Sequence, residues 1–358
     1  MMNYNLLKKL LFCLDPERAH ALASVALKII PKITPDPHES ENEVLGQKIF
    51  GLNFSNPIGL AGGFDKNASM ILGICALDFG FLELGTVTNL PQNGNAKPRL
   101  FRHINERSLQ NAMGFNNKGV LHFRNNLNQF DKPHFKTPLF LNIGKNKDVP
   151  NTAALKDYEN CLYKLADFTN LPRGYVFNLS SPNTTKLRDL QNESFVKDLL
   201  QMAKELLNKN SPIFIKISPD MPDEAMLNLV DCAISNGVSG IIATNTTINY
   251  SLIKKPFCNK DALPFGGISG AVLKQRSTEV LRLLAKHFFG KTTLISVGGI
   301  ENADDVYKRI KLGANLVQIY TALIYEGPNI CKKINKAISL KLQKDGFTNI
   351  SQAIGVEL

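Results

Sequence analysis

The chain has 358 residues, 44% of them hydrophobic and 20% charged, with 25 glycines and no tryptophan. That is enough apolar material for one large α/β core, and it excludes disordered, collagen-like and low-complexity classes. The formal charge of +11, from 42 Lys and Arg against 31 Asp and Glu, admits nucleic acid, an anionic membrane or an acidic small molecule as partner.

The lysines are scattered and not interleaved with aromatics, so no nucleic-acid partner is expected. Cys13, Cys75, Cys161, Cys232, Cys258 and Cys331 contain no C-x-x-C pair. Neither a zinc site nor a disulfide framework is indicated, and a reducing compartment is the default. His20, His38, His103, His122, His134 and His287 show no ligand spacing, so no metal is expected.

In chain order, Leu6, Leu7, Leu10, Leu11 and Leu14 recur at helical spacing around Lys8 and Lys9. Asp15 is a good N-cap and Pro16 a good first helical residue for a second helix, whose stripe of Leu22, Ala23, Ala26, Leu27 and Ile30 stops at Pro31. Two readings of this helix pair over residues 1–33 stand side by side. Its apolar faces pack on the main domain, or they lie in a membrane surface with Lys8, Lys9, Arg18, Lys28 and Lys32 facing anionic headgroups. No apolar run approaches the roughly 18 residues of a spanning helix, and the start lacks a signal-peptide core. A linker is drawn over 34–50, its segment 34–44 rich in Pro, Asp, Glu and Ser.

From Gly51 onward eight β-branched apolar runs alternate with helical patterns: Pro57–Ala61, Phe81–Leu84, Leu139–Ile143, Tyr175–Leu179, Ile213–Ile217, Gly240–Ala243, Thr293–Val297 and Leu316–Ile319. The alternation predicts an α/β fold, a (β/α)8 TIM barrel over 51–338, with a small N-terminal two-helix extension and a C-terminal tail over 339–358.

Active sites of such barrels lie at the C-terminal ends of the strands. Those ends carry Gly62-Gly63-Phe64-Asp65-Lys66, Thr86, Asn142, Asn178 with Ser180-Ser181, Lys216, Thr244-Asn245-Thr246, Gly298-Gly299 and Tyr320-Thr321. The Asn and Thr side chains suit the edge of a polar heterocycle, since amides donate and accept together. Lys216, ending an apolar strand, needs negative charge from a substrate or cofactor. The turn Val297-Gly298-Gly299-Ile300, and a preceding loop Gly266–Gly270, are either tight turns or a backbone cradle for phosphate. No G-x-S-x-G is present, so a serine hydrolase lacks support.

Taken together these motifs resemble the membrane-associated, quinone-dependent dihydroorotate dehydrogenases (class 2). The resemblance runs through DPERAH (15–20), NPIGLAGGFDK (56–66), ELGTVT (83–88), KPRLFR (97–102), NAMGFNN (111–117), NIGKNK (142–147), NLSSPNT (178–184), KISPD (216–220), ATNTT (243–247), GGISG, SVGGI and VQIYTALIYEGP. The helix pair and the serine at Ser181, where soluble classes carry cysteine, point to the quinone class. Departures are Ala112 in place of arginine, Gly62 in place of alanine, and Ala271-Val272.

The resemblance implies oxidation of (S)-dihydroorotate to orotate in pyrimidine synthesis, with FMN taking the hydride and Ser181 removing the C5 proton through a relay shaped by Thr184 and Phe115. It implies a substrate site of Lys66, Asn111, Met113, Gly114, Phe115, Asn178, Asn183, Asn245 and Thr246. FMN would be held by Gly62, Gly63, Phe64, Asp65, Lys66, Thr86, Asn142, Asn178, Lys216, Thr244, Gly270, Gly299, Tyr320 and Thr321. A ubiquinone-type membrane quinone would pass between the helices, with His20, Arg102 and Tyr320 on its path. It further implies a monomer bound peripherally at the cytoplasmic face of a bacterial inner membrane, or at the mitochondrial inner membrane in a eukaryote. Two other readings are a nicotinamide-using pyrimidine reductase, for which no nucleotide-binding domain or Fe–S cysteine cluster is visible, and a basic barrel without chemistry.

Overall fold

The computed structural model describes residues 4–29, 43–184, 186–262 and 264–358; the expected helix stop at Pro31, the cation Lys32 and most of segment 34–44 lie outside them. Helices α1 (Tyr4–Cys13) and α2 (Pro16–Ile29) form the expected pair. Asp15 Oδ1 accepts the N–H groups of Glu17 and Arg18 at 3.0 and 3.1 Å, and Pro16 starts α2 without an amide to satisfy.

There follow β1 (Gln47–Ile49), β2 (Leu52–Phe54), β3 (Ile58–Leu60), α3 (Ile71–Cys75), β4 (Phe81–Val87), β5 (Leu100–His103), β6 (Ser108–Asn111), α4 (Val120–Leu127), β7 (Leu139–Ile143), α5 (Ala154–Tyr163) and β8 (Arg173–Asn178). The second half comprises α6 (Glu193–Leu206), β9 (Ile213–Ile217), α7 (Asp223–Ser235), β10 (Gly240–Ala243), β11 (Gly267–Gly270), α8 (Lys274–Phe288), β12 (Thr293–Val297), α9 (Ala303–Lys311), β13 (Leu316–Ile319), α10 (Thr321–Glu326) and α11 (Ile330–Lys344).

Strands β3, β4, β7, β8, β9, β10, β12 and β13 close into a parallel barrel in that order, with β13 pairing back to β3. Each of the eight expected runs supplies one strand. Helices surround them, so the fold is a (β/α)8 barrel with an N-terminal two-helix extension. Inward-facing Phe81, Phe140, Val176, Phe214, Ile242, Ile295 and Leu316 fill the interior at its N-terminal end, with the Phe140 and Phe214 rings stacked at 4.5 Å. Such filling leaves no channel, and polar chemistry is confined to the other end.

Three expectations are corrected. The last residues of the drawn linker form β1, which pairs antiparallel with β2 across Phe50-Gly51, both at positive φ (55° and 75°), as a two-residue hairpin turn requires. This hairpin plugs the lower mouth: Phe54 lies 5.5 Å from the Phe81 ring and Phe50 5.6 Å from Phe214. Gly267–Gly270, read as a loop, is a strand that pairs antiparallel with β6, and β6 pairs with β5, giving a three-stranded sheet. Finally, α11 runs straight through position 338. Beyond it Ile350 and Ala353 are fully buried, and Ile350 N–H donates to the Val44 carbonyl at 2.8 Å, so the tail clasps the start of the barrel unit.

Candidate active site

The alternation of β4 places Glu83 on the inner face two residues beyond Phe81, one layer above the apolar filling. It is fully buried, and Lys216 of β9 is only 5% exposed. Lys216 Nζ donates to Glu83 Oε1 at 2.9 Å and Oε2 at 3.2 Å, and Gln318 Nε2 donates to Oε2 at 2.7 Å. The Asn142 amide also donates to Oε1. Lys216 therefore does not depend on a ligand for its counter-charge, contrary to the sequence expectation: Glu83 supplies it, and the sequence reading had passed over this carboxylate. At Gly62 a Cβ would stand 2.3 Å from Glu83 Oε1, so the glycine lets the carboxylate come up against the first βα turn.

Above this network lies a cavity of about 510 Å³. Nearly every sequence-predicted site residue lines it: His20, Gly62, Gly63, Phe64, Asp65, Lys66, Thr86, Asn111, Met113, Gly114, Phe115, Asn178, Ser181, Asn183, Lys216, Thr244, Asn245, Thr246, Gly270, Gly299, Tyr320 and Thr321. Asn142 and Arg102 do not. Asn142 stands behind the turn on Glu83. Arg102 donates to the Leu14 carbonyl at 2.8 Å and lies over the Phe12 ring at 4.8 Å, because the last carbonyls of α1 need a donor. Arg102 thus clamps the end of α1, at the base of the helix pair.

Asp65 lines the cavity, but its carboxylate accepts the backbone N–H groups of Asn67, Ser69 and Met70, which fixes the turn. Lys66 donates to the Gly63 carbonyl at 2.8 Å, and burial, followed by the nearby Arg99 charge, pulls its pKa down to about 8. Next to it, His20 of α2 sits edge-on to Phe64 at 5.0 Å, and Phe64 edge-on to Tyr320 at 5.8 Å. Burial and the Lys66 charge lower the His20 pKa to about 4, and burial raises that of Tyr320 to about 12, so both rings are neutral near pH 7. The cavity thus runs from the barrel centre to the underside of α2, where Glu17, His20, Ala21, Ser24, Val25 and Lys28 complete its wall.

The polar strand ends form one network. Asn178 Nδ2 donates to Thr86 Oγ1 at 3.0 Å, Asn245 Nδ2 to Ser180 Oγ at 2.9 Å, and Asn183 Nδ2 to Asn111 Oδ1 at 2.9 Å. Ser181, 5% exposed, accepts the Asn183 N–H at 3.2 Å. Lining residues Asn116, Asn183, Thr244, Thr246 and Gln318 each hold a buried side-chain oxygen with no protein partner. Buried polar atoms are normally satisfied, so these oxygens await hydrogen bonds from a polar occupant.

At the far side, Gly298 and Gly299 adopt φ of 119° and 70°, and a Cβ on Gly299 would stand 2.4 Å from the Lys274 backbone. Arg309, 1% exposed, holds this turn from behind: Nη2 donates to the carbonyls of Gly298 and Lys274 at 3.1 and 3.0 Å and to Ser277 Oγ at 2.7 Å. Nothing in the helical pattern around it distinguishes Arg309 from any other basic residue of a helix. Among the described residues no group of His, Cys, Asp and Glu could hold a metal ion.

The family model described as dihydroorotate dehydrogenase matches residues 44–342. The chain belongs to the dihydroorotate dehydrogenase family. Relatives named dihydroorotate dehydrogenase (quinone) include one from Sulfurimonas denitrificans, 50% identical over 100% of this chain and 99% of its own, and one from Helicobacter acinonychis, 50% identical over the whole of both. These matches extend through the N-terminal helix pair, as expected of the quinone class. A crystal structure of the Eimeria tenella family member in complex with ferulenol, 34% identical, superposes with a TM-score of 0.84 over 96% of each chain.

Removing one partner of a buried ion pair strands the other, at a cost of about 3–5 kcal/mol. Glu83→Gln should therefore lower stability by about that much in urea unfolding, and Glu83→Gln with Lys216→Met should recover part of it. A double variant no more stable than the single one would show that the two side chains are not coupled.

Proposed function

We propose that this chain oxidises (S)-dihydroorotate to orotate, with FMN in the cavity and a membrane quinone as final electron acceptor. The observation that carries this reading is the cavity itself. One continuous space joins a buried serine and an asparagine network to the underside of an amphipathic helix pair, and its walls hold unpartnered oxygens. The donor set suits FMN: Gly62, Gly63, Thr86, Lys216 and Thr244 line the space that would take its ring, while Gly270, Gly298 and Gly299 would offer backbone N–H groups to its phosphate. When bound, FMN supplies a two-electron acceptor.

The chain's own residues do the rest. Asn111, Asn178, Asn183 and Asn245 present amides to a planar ring with alternating donors and acceptors, and protonated Lys66 offers positive charge to a carboxylate. Ser181 Oγ takes the proton from the substrate carbon as its own hydroxyl proton passes on. The Asn183 N–H already directed at that oxygen favours the negative charge that develops on it as its own proton leaves. Thr184 Oγ1, buried and without a partner, lies three residues further on and continues the proton path, and Phe115, 8% exposed, screens it from bulk water.

The helix pair serves the second half of the reaction. Leu6, Leu10, Leu22, Val25 and Ile29 are 49–64% exposed, an apolar face the barrel does not cover, with Lys9, Arg18 and Lys28 also exposed. Such a face lies in the headgroup boundary of a bilayer. Lys8, expected there too, instead donates inward to the Tyr325 carbonyl at 2.9 Å. No helix among the described residues is long and apolar enough to cross a membrane.

Ser181→Ala should retain FMN yet reduce it with dihydroorotate about a hundredfold more slowly, by stopped-flow absorbance; a near-normal rate would remove Ser181 from the role of base. Leu6→Glu with Leu10→Glu should weaken cosedimentation with anionic vesicles and slow turnover with a long-chain quinone, leaving flavin reduction intact. Unchanged vesicle binding would make that face an ordinary exposed surface.

A further inference from the structure

The single acid in the first turn of α2, Glu17, is not absorbed by the scheme above. Its carboxylate takes three hydrogen bonds from Arg99, at 2.9 Å from Nη2 and at 3.2 and 3.3 Å from Nε, and the two side chains are only 17% and 7% exposed. Arg99 does not stop there. Its Nη1 donates to the carbonyls of Asn93 and Asn95 at 2.6 and 2.7 Å, and its own carbonyl accepts the Ala112 N–H at 2.7 Å.

Segment 93–95 is thereby pressed on the substrate side of the cavity. Asn95 Nδ2 donates to the carbonyls of Ala112 and Asn183 at 2.9 and 3.2 Å, and Asn183 in turn bonds Asn111. The fit has no slack: a Cβ on Gly94 would stand 2.2 Å from the Met113 carbonyl, and one on Gly114 2.9 Å from Asn95 Cγ. A shift at Arg99 must therefore move Met113, Gly114 and Asn183 together.

We propose that Glu17 is a positioning residue for the dihydroorotate pocket: by holding Arg99 it clamps segment 93–95 against Met113, Gly114 and Asn183, so that docking of the helix pair sets substrate affinity. This rests on the functional reading above and deepens it. The two halves of the reaction then communicate, since whatever loosens α2 at the membrane also loosens the substrate site.

Charge runs along the same route. The groups facing Lys66 are Arg99 and His20, which lower its pKa or are lowered by it, and Glu17 and Asp65, which raise it. Lys66 is protonated below about pH 8 and loses its charge above it, so affinity for an anionic ligand falls as pH rises through that value. Taking away the Glu17 charge lowers the Lys66 pKa further and moves the loss to lower pH.

The test is titration of the FMN-loaded full-length protein with orotate across pH, read by the flavin band, beside steady-state flavin reduction by dihydroorotate. Glu17→Gln should weaken orotate binding about fivefold or more at pH 7, raise the dihydroorotate KM, leave the maximal rate and flavin content unchanged, and shift the alkaline limb to lower pH. Glu17→Asp should restore part of the affinity and the original limb. Wild-type affinity and pH profile in Glu17→Gln would overturn the proposal, even with a lowered melting temperature. Should Glu17→Gln fail to fold, Arg99→Lys, which keeps the charge but loses the fork, must show the same raised KM, and a normal KM there overturns the proposal as well. A wild-type protein that does not bind orotate at all defeats the underlying activity and the coupling with it.

Discussion

A carboxylate without solvent, Glu83, stands where the apolar filling of the barrel ends and its polar mouth begins. Below it, rings from β4, β7 and β9 close the cylinder, and the β1–β2 hairpin seals it. Above it, every strand end presents a polar group. Burying one charge here obliges the fold to supply its partners: Lys216 from β9, Gln318 from β13 and Asn142 from β7 converge on it. Four strands are thus tied at one level, and the cavity floor inherits that rigidity.

The upper wall is built on the opposite plan. Instead of a packed strand layer it is closed by α2, held through Glu17, through ring contacts at His20, and by burial of Ala19 and Leu27. Its outer face is apolar and uncovered. Floor and roof are thus two regimes: the floor fixes its groups through an ion network shared by four strands, as chemistry that needs placement to within fractions of an ångström requires, and the roof is a single helix held by a few side chains. Glu17 is where the two regimes meet, since it is on the roof yet acts on the loop that shapes the substrate side.

The barrel was legible because its strands are buried on both faces and read as continuous apolar runs ending in Gly, Asn or Thr, a pattern that needs no tertiary information. The site was legible for a related reason, that strand ends converge in this topology wherever they fall in the chain. What escaped were pairings. Glu83 sits inside the motif that announced Thr86, yet a lone acid in an apolar strand does not reveal that Lys216, far along the chain, is its partner. Strands β5, β6 and β11 are only four residues each, and β11 begins and ends in glycine, so Gly267–Gly270 reads as a loop until it is paired with β6. Arg309 looked like one more basic residue on an amphipathic helix. That Arg102 also donates to the last carbonyls of α1 was likewise invisible in the family motif that named it.

Dihydroorotate should deliver its electrons to a flavin bound in the cavity whose floor is Glu83 and Lys216. The most direct test is to add dihydroorotate anaerobically to the purified full-length protein while following its visible absorption. A yellow protein whose flavin band bleaches on mixing, and returns when a quinone is supplied, is the predicted result. A correctly folded protein that is colourless and takes up no FMN, or one whose bound flavin stays oxidised in excess dihydroorotate, would contradict the account.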